Sequence, residues 1–176
     1  ASVVAYDSTA AASACSAATP AMPKSATYVV SRTPMPWDDG PNAGFTSGRP
    51  WLRLGPDVAE RNVQAQVRDP GSVLACYRRM LAARRSQPSL QDGRLRLVPT
   101  DAADILVFRR LGSGADILVA VAFGPDGGTL DLPPAPAGAA WRAVVGTHVD
   151  VPTDHDGRGR LTLRGYEGVV LEAITT

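Results

Sequence analysis

This chain of 176 residues has few cysteines, almost no lysine and little net charge. Lys24 is the only lysine, and the formal net charge is +1. A chain this close to neutral is not expected to have the strongly basic surface that binds nucleic acids or anionic membranes. It also has no apolar run long enough to cross a bilayer. We therefore expect neither a nucleic acid nor a membrane as a partner.

The two cysteines, Cys15 and Cys76, have a spacing that fits no metal-binding motif. They are expected to be free thiols in a reducing compartment. The chain begins without the basic segment and apolar block of a signal peptide, so a cytoplasmic location is the default expectation. The sequence has no phosphate-binding glycine loop and no nucleophile elbow, and we expect neither a cofactor nor a metal.

Residues 1–31 are rich in Ala, Ser and Thr and show no sustained period, which predicts a weakly ordered arm. The first residue is not Met, so the chain is expected to be processed or partial. Residues 69–87 are predicted to form a helix, with Asp69 as its N-cap and Pro70 at its first position. Its apolar stripe is predicted to be a packing face and consists of Val73, Leu74, Tyr77, Met80 and Leu81.

From residue 94 the apolar pattern changes to the alternation of strands, punctuated by Gly and Pro. Gly112-Ser113-Gly114 predicts a hairpin turn between the second and third strands. Short strands at this spacing indicate an antiparallel sandwich. The predicted strands are Arg94–Val98, Ile105–Leu111, Ile117–Phe123, Thr129–Leu132, Trp141–Val145, Arg160–Leu163 and Val169–Ile174.

The most informative stretch is residues 32–54, RTPMPWDDGPNAGFTSGRPWLRL. Its four prolines are incompatible with a regular helix or a central strand. Its three large aromatic residues need to be buried or to contact a ligand. A long irregular segment of this kind is typical of a functional loop. Among its acidic residues, adjacent Asp38 and Asp39 fit an Asx turn better than a catalytic pair.

This stretch resembles a segment of the α-glucosidases and oligo-1,6-glucosidases of glycoside hydrolase family thirteen. The resemblance continues through Asn62-Val63-Gln64-Ala65-Gln66 and the predicted helix, weakens towards residue 176, and does not extend to residues 1–31. It implies a mainly β fold: a C-terminal antiparallel β-sandwich preceded by a long loop and one helix that resemble the end of a (β/α)8 barrel. With the arm that composition predicts over 1–31, the resemblance implies a loop-and-helix part over 32–90 and a β-domain over 91–176.

The resemblance also implies what chemistry this chain lacks. The family uses a nucleophile, an acid/base and a third carboxylate from earlier barrel strands, and no acidic residue here matches those motifs. His155-Asp156 lies in a Gly-flanked turn outside that context, and His148 has no second ligand nearby. We therefore assign no catalytic residue and expect the isolated chain to be inactive.

Arg32 is the one site residue that the resemblance implies, as a substrate-binding residue beside the sugar pocket, because a guanidinium can bind hydroxyls or a carboxylate. Trp37 and Trp51 are interpreted chiefly as anchors of the loop, with sugar stacking as the alternative. The expected ligand of the intact family is an oligosaccharide. Two alternatives remain open: a carbohydrate-binding module that uses Trp37, Trp51 or Trp141, and a module that completes a partner chain or self-associates through residues 69–87.

Overall fold

The computed structural model describes residues 33–151 and 159–175. A long loop with a 3-10 turn at Pro41–Gly44 leads to helices α1 (Val63–Arg68), α2 (Val73–Ser86) and α3 (Pro88–Asp92). Seven strands follow: β1 (Arg94–Val98), β2 (Ile105–Leu111), β3 (Ile117–Ala122), β4 (Gly128–Asp131), β5 (Ala139–Gly146), β6 (Arg160–Leu163) and β7 (Gly168–Thr175). The mainly β architecture with an antiparallel sandwich is confirmed. The arm, Arg32 and the His155-Asp156 turn lie outside the described residues.

The strands form two antiparallel layers. A five-stranded sheet has the order β1-β2-β3-β7-β5, and β4 pairs with β6 in a two-stranded sheet. The predicted Gly112-Ser113-Gly114 hairpin does join β2 to β3. Alternate side chains of both sheets point into one apolar core between the layers, since successive strand residues face opposite sides. That core contains Ile105, Val107, Leu118, Ala120, Ala122, Leu130, Trp141, Leu161, Leu163, Val169 and Leu171.

The opposite face of the large sheet is covered by helices. Ala83 of α2 is buried against Ile117, Val145 and Val170, and Met80 and Leu90 pack around this second cluster. Arg79 extends the contact by donating from Nη2 to the carbonyl oxygen of Thr147, 3.3 Å away. The helical region therefore packs directly on the strands that follow it in the chain.

The predicted helix over 69–87 is wrong at its start. Asp69 precedes the helix and accepts a hydrogen bond from the amide of Gly71, while Ser72 is the N-cap and accepts from Ala75 N. The Ser72 hydroxyl also donates to Gln66 O at 2.7 Å, which ties the helix start to α1. A side-chain acceptor one turn nearer the helix therefore takes the capping role from Asp69.

The predicted packing stripe of this helix is only partly buried. Tyr77 is 63% exposed and Leu81 is 48% exposed, although Met80 contacts the second cluster. Cys76 and Ala83 are the buried residues of the helix. Ala83 and Met80 therefore contact the sheet, while Tyr77 and Leu81 are left on the outer face. None of the helices among residues 33–151 and 159–175 has the length and apolar character needed to cross a bilayer.

Candidate functional site

The loop at residues 33–62 is held by the first turn of α1. The amide of Val63 donates to Pro36 O and that of Gln64 donates to Trp37 O, both at 3.0 Å. Asn62 is buried, and its Oδ1 accepts from the amide of Ala65 at 2.8 Å. Its Nδ2 donates to the carbonyl oxygens of residues 58 and 59. One side chain thus caps α1 and closes the loop.

A strained turn lies in the middle of this loop. Asn42, Ala43 and Gly44 have φ values of 53°, 54° and 66°, so three consecutive residues are left-handed. Each non-glycine residue in this region costs about 1–2 kcal/mol. The buried Ala43 offsets part of the cost, because its carbonyl oxygen accepts from the amide of Trp37 at 2.8 Å. Strain of this kind concentrates at functional sites.

Asp38 borders the same turn. Its Oδ1 accepts from the amide of Gly40 at 2.9 Å, so the side chain forms the Asx turn that the sequence favoured. A Cβ placed on Gly44 would lie 2.4 Å from Asp38 Oδ2. Gly44 is therefore required by its positive φ and by the close approach of this carboxylate.

The aromatic residues of the loop are turned outwards. Trp51 is 83% exposed and Trp37 is 51% exposed within the described residues, so the interpretation of the two side chains as loop anchors stays a prediction. Trp51 lines an open groove of about 600 Å³ together with Asn42 and the run from Arg49 to Leu54. Trp141, the third candidate for sugar stacking, is instead a core residue whose Nε1 donates to Pro133 O at 2.7 Å.

The two buried glutamates are held by arginines in structural pairs. Glu172 accepts from Arg142 Nε at 3.0 Å, and Glu167 accepts from the backbone amide and the guanidinium of Arg164. Neither carboxylate lies beside the groove, since both are in or next to β7. Within residues 33–151 and 159–175, no three side chains of the metal-binding types lie close enough together to hold a metal ion. His148 is therefore not part of such a group.

One ion pair in the β-domain alters the acidity of its members. Arg164 Nη1 donates to Asp150 Oδ2 at 2.9 Å, and this hydrogen bond lowers the pKa of Asp150 below its ordinary value. Hydrogen bonds to Glu167 and then Asp150 raise the pKa of Arg164. The pair joins the end of β5 to the turn before β7 and so has a structural role.

The sequence pointed to the loop but not to its most distinctive features. Arg32 immediately precedes the first described residue, so its predicted role stays a prediction. The left-handed turn was missed, although Asn42 and Gly44 are residue types that tolerate positive φ. The placing of Arg49, Trp51 and Arg53 along one groove was also missed, because an alternating triplet in a proline-rich loop has no fixed geometry until the loop folds.

Comparison with known proteins defines the class to which this fold and loop belong. Residues 4–93 match the family model of the α-amylase catalytic domain, which covers half of the chain. The protein therefore belongs to the α-amylase family, glycoside hydrolase family thirteen. The match begins well before Arg32 and corrects the expectation that residues 1–31 lack any resemblance to the family.

The curated relatives that this chain resembles include glucosidases of that family. The trehalose-6-phosphate hydrolase of Bacillus subtilis is 32% identical over 140 residues, which are 80% of this chain and 25% of that protein. The oligo-1,6-glucosidase of Heyndrickxia coagulans is 32% identical over 122 residues, 69% of this chain and 21% of that protein. The chain thus spans about a quarter of the length of the curated relatives it matches.

Solved structures give the same result. The trehalulose synthase MutB of Pseudomonas mesoacidophila MX-45 superimposes with a TM-score of 0.69 at 30% identity, over 81% of this chain and 25% of that one. The trehalose-6-phosphate hydrolase of Bacillus licheniformis has a TM-score of 0.71 at 25% identity, over 82% of this chain and 26% of that one. Both alignments extend across most of the chain, beyond the 51% that the family model covers by itself.

Proposed function

We propose that this chain supplies the last active-site loop, the last barrel helix and the C-terminal β-sandwich of an α-glucosidase. The activity of that enzyme is retaining hydrolysis of α-glucosidic bonds in oligosaccharides. The observation that carries the proposal is the loop: it combines the family-like sequence of residues 32–54 with a strained turn and outward-facing aromatic residues. Similarity to an oligo-1,6-glucosidase and a trehalose-6-phosphate hydrolase supports it.

The isolated chain is proposed to be inactive. Retaining glycosidases need two carboxyl groups about 5–5.5 Å apart across the scissile bond. In the described part of the chain, Glu167 and Glu172 are each bound to an arginine in the β-domain, and Asp38 is engaged in its own turn. These side chains maintain the fold and do not form a catalytic pair beside the groove.

Arg32 is proposed to bind the substrate on the aglycone side. The residue comes directly before the loop, whose Pro36 and Trp37 carbonyl oxygens accept hydrogen bonds from the amides of Val63 and Gln64 at the start of α1. A guanidinium carries five donors in a rigid fork, which suits sugar hydroxyls or a carboxylate of the catalytic centre.

The outer face of α2 is proposed to pack against the remainder of the catalytic domain, in the same chain or in a partner chain, or against a second copy. Tyr77 and Leu81 are exposed there. Each large apolar side chain contributes about 1.5–3 kcal/mol on full burial, so covering the surface stabilises the assembly.

The test is a chimera in which this chain replaces the segment it matches in the oligo-1,6-glucosidase of Heyndrickxia coagulans. We expect the chimera to hydrolyse p-nitrophenyl α-glucoside and isomaltose, and the isolated chain to show no turnover above that of a heat-inactivated sample. Replacing Arg32 by Ala in the chimera should raise KM more than it lowers kcat. A chimera that folds by circular dichroism but hydrolyses neither substrate would contradict the proposal.

A further inference from the structure

Strand β1 has an outer edge without a strand partner in the described part of the chain. It lies at one end of the five-stranded sheet and pairs with β2 alone. All of its residues except the last are exposed, with Leu95 at 52% and Leu97 at 64%. A row of unpaired amides and carbonyl oxygens is a template on which a further strand can form.

The two faces of β1 differ in chemistry. Val98 packs against the core between the two sheets. Because successive strand residues face opposite sides, the two arginines, Arg94 and Arg96, lie on the same side as Val98. The two leucines, Leu95 and Leu97, lie on the side that the helices cover elsewhere on the sheet. A strand added at this edge would therefore meet arginines on one face and leucines on the other.

The arginine face of this edge has an excess of positive charge. Arg96 stands directly opposite Arg109 of β2, and like charges directly opposite each other destabilise a strand pair. Arg109 donates from Nη2 to Asp116 Oδ2 at 2.6 Å, but its buried Nε has no hydrogen-bond partner among the described residues. The guanidinium groups of Arg94 and Arg96 form no hydrogen bond or ion pair within residues 33–151 and 159–175. Carboxylates placed along this edge would offset the repulsion.

The arginines also determine which strand can be added. If two copies of β1 paired antiparallel about Arg94, Leu95 or Arg96, arginine would stand opposite arginine. A pairing centred further along the strand would include Pro99, which has no amide hydrogen to donate. A second copy of this chain is therefore a poor partner for the edge, whereas a strand with carboxylates at alternate positions complements it.

We propose that β1 binds an extended acidic segment of a partner polypeptide, which joins the five-stranded sheet as an additional strand with alternating acidic and apolar side chains. The carboxylates lie on the face of Arg94 and Arg96, where guanidinium groups form charge-assisted hydrogen bonds. The apolar side chains lie beside Leu95 and Leu97. In strand addition the backbone hydrogen bonds give affinity and the alternate side chains give specificity. This surface begins after residue 93, where the match to the catalytic domain ends, and is independent of the proposed glucosidase activity.

The test is a titration of the full chain with a fluorescein-labelled peptide, Gly-Ser-Glu-Val-Glu-Val-Glu-Ser-Gly, followed by fluorescence anisotropy. We expect saturable binding, with an affinity about tenfold or more above that of the same peptide with Gln in place of Glu, because the neutral amide loses the charge-assisted hydrogen bonds. A third peptide of the same composition, with its Glu residues grouped before its Val residues, has the same charge without the alternation. It should bind about tenfold more weakly than the first.

Amide hydrogen exchange shows whether the peptide is added as a strand. Saturation with the Glu peptide should slow exchange within residues 94–98, because the new strand supplies acceptors to the amides on the outer edge. β5 is the strand at the opposite end of the same sheet and serves as the internal control. Its exchange should not change.

Matched variants assign the two faces of the edge. Arg96→Gln should reduce affinity for the Glu peptide about tenfold and leave that for the Gln peptide unchanged. Arg78→Gln, at an exposed arginine of α2, is its control and should change neither. Leu97→Thr keeps a strand-forming residue but removes apolar surface, so it should weaken binding of both peptides. Val149→Thr, at an exposed residue outside the strands, should have no effect. Circular dichroism checks that each variant is folded.

Three results would overturn the assignment of this edge: equal affinity for the Glu and Gln peptides or for the alternating and grouped peptides, binding that leaves exchange at residues 94–98 unchanged, or no binding. A parent dimer that Leu97→Thr converts to a monomer would assign the edge to a second copy instead. An active chimera that no longer binds the Glu peptide would assign it to the catalytic domain. Binding by both the chain and an active chimera supports an acidic partner strand, and an inactive chimera leaves the result for the chain itself unaffected.

Discussion

Gln87 donates from Nε2 to Oε2 of Glu172 at 2.5 Å, and so joins the end of α2 to the middle of β7. Gln87 is also the C-cap residue of that helix, and its backbone amide donates to Ala83 O. Glu172 is buried, and its other carboxylate oxygen, Oε1, forms an ion pair with Arg142 of β5. A helix from the part of the chain that matches the catalytic domain is therefore bonded directly to the β-domain.

Replacing Gln87 by Ala should destabilise the chain by about 1–3 kcal/mol, because a buried carboxylate oxygen loses its donor. Urea denaturation followed by circular dichroism measures the change. Gln64→Ala, at an exposed position of α1, is the control and should have little effect. Equal urea midpoints for the Gln87 variant and the parent would show that the interaction contributes nothing to stability.

Acid stability should depend on Asp150. The hydrogen bond from Arg164 lowers the pKa of Asp150 in the folded chain, so the stabilisation is fully present above the pKa of the unfolded chain. It is lost as pH falls through the lower folded pKa, when the carboxylate is protonated. Arg164 stays charged throughout this range, since its own pKa is raised.

Asp150→Asn should therefore lower the thermal midpoint at pH 7 and flatten its decline below about pH 4, the ordinary range of an aspartate. Asp126→Asn, at an exposed turn between β3 and β4, serves as the matched control. Parallel acid profiles for the Asp150 variant and the parent would contradict the role given to this ion pair.

Gly44 should tolerate no side chain. In Gly44→Ala the new Cβ would lie 2.4 Å from Asp38 Oδ2 at a positive φ, and the left-handed conformation alone costs about 1–2 kcal/mol. We expect the loop to open, with faster tryptic cleavage after Arg53, the arginine of this run that is not followed by proline. Gly48→Ala is the control, because its Cβ would meet only Thr46 Oγ1 at 3.8 Å. Equal cleavage rates in the two variants would refute the requirement for glycine.

The β-domain should fold without the helices but with reduced stability. A chain of residues 93–176 keeps every member of the core between the two sheets. It loses Met80, Ala83 and Leu90 from the second cluster, and a large apolar side chain contributes about 1.5–3 kcal/mol when buried. We expect a cooperative urea transition at a lower midpoint than that of the full chain, with dye binding to the uncovered sheet. A random-coil spectrum would contradict independent folding.

The outer face of α2 should promote association. Tyr77→Glu with Leu81→Glu removes two exposed apolar side chains and should raise the monomer fraction in sedimentation, with the thermal midpoint nearly unchanged. Arg78→Glu, which changes the charge of an exposed neighbour without removing apolar surface, is the control. A parent chain that is monomeric at high concentration and binds no hydrophobic dye would show that this face needs no partner.

Local patterns in the sequence determined much of the β-domain. The strands Arg94–Val98, Ile105–Leu111 and Arg160–Leu163 begin and end at the predicted residues, because alternation and turn residues act within a few positions. The resemblance of residues 32–54 to a family loop was likewise a property of the sequence itself, and the family match confirmed it.

Tertiary structure decided which apolar residues are buried. Periodicity placed Tyr77 and Leu81 on a packing face, yet Ala83 is the residue of this helix buried against the sheet, and the larger pair is left exposed. Side-chain size relative to the opposing surface sets this choice, and it cannot be read from spacing. The left-handed turn at Asn42–Gly44 and the alignment of Arg49, Trp51 and Arg53 along one groove also depend on contacts between distant parts of a loop, which exist only once the chain has folded.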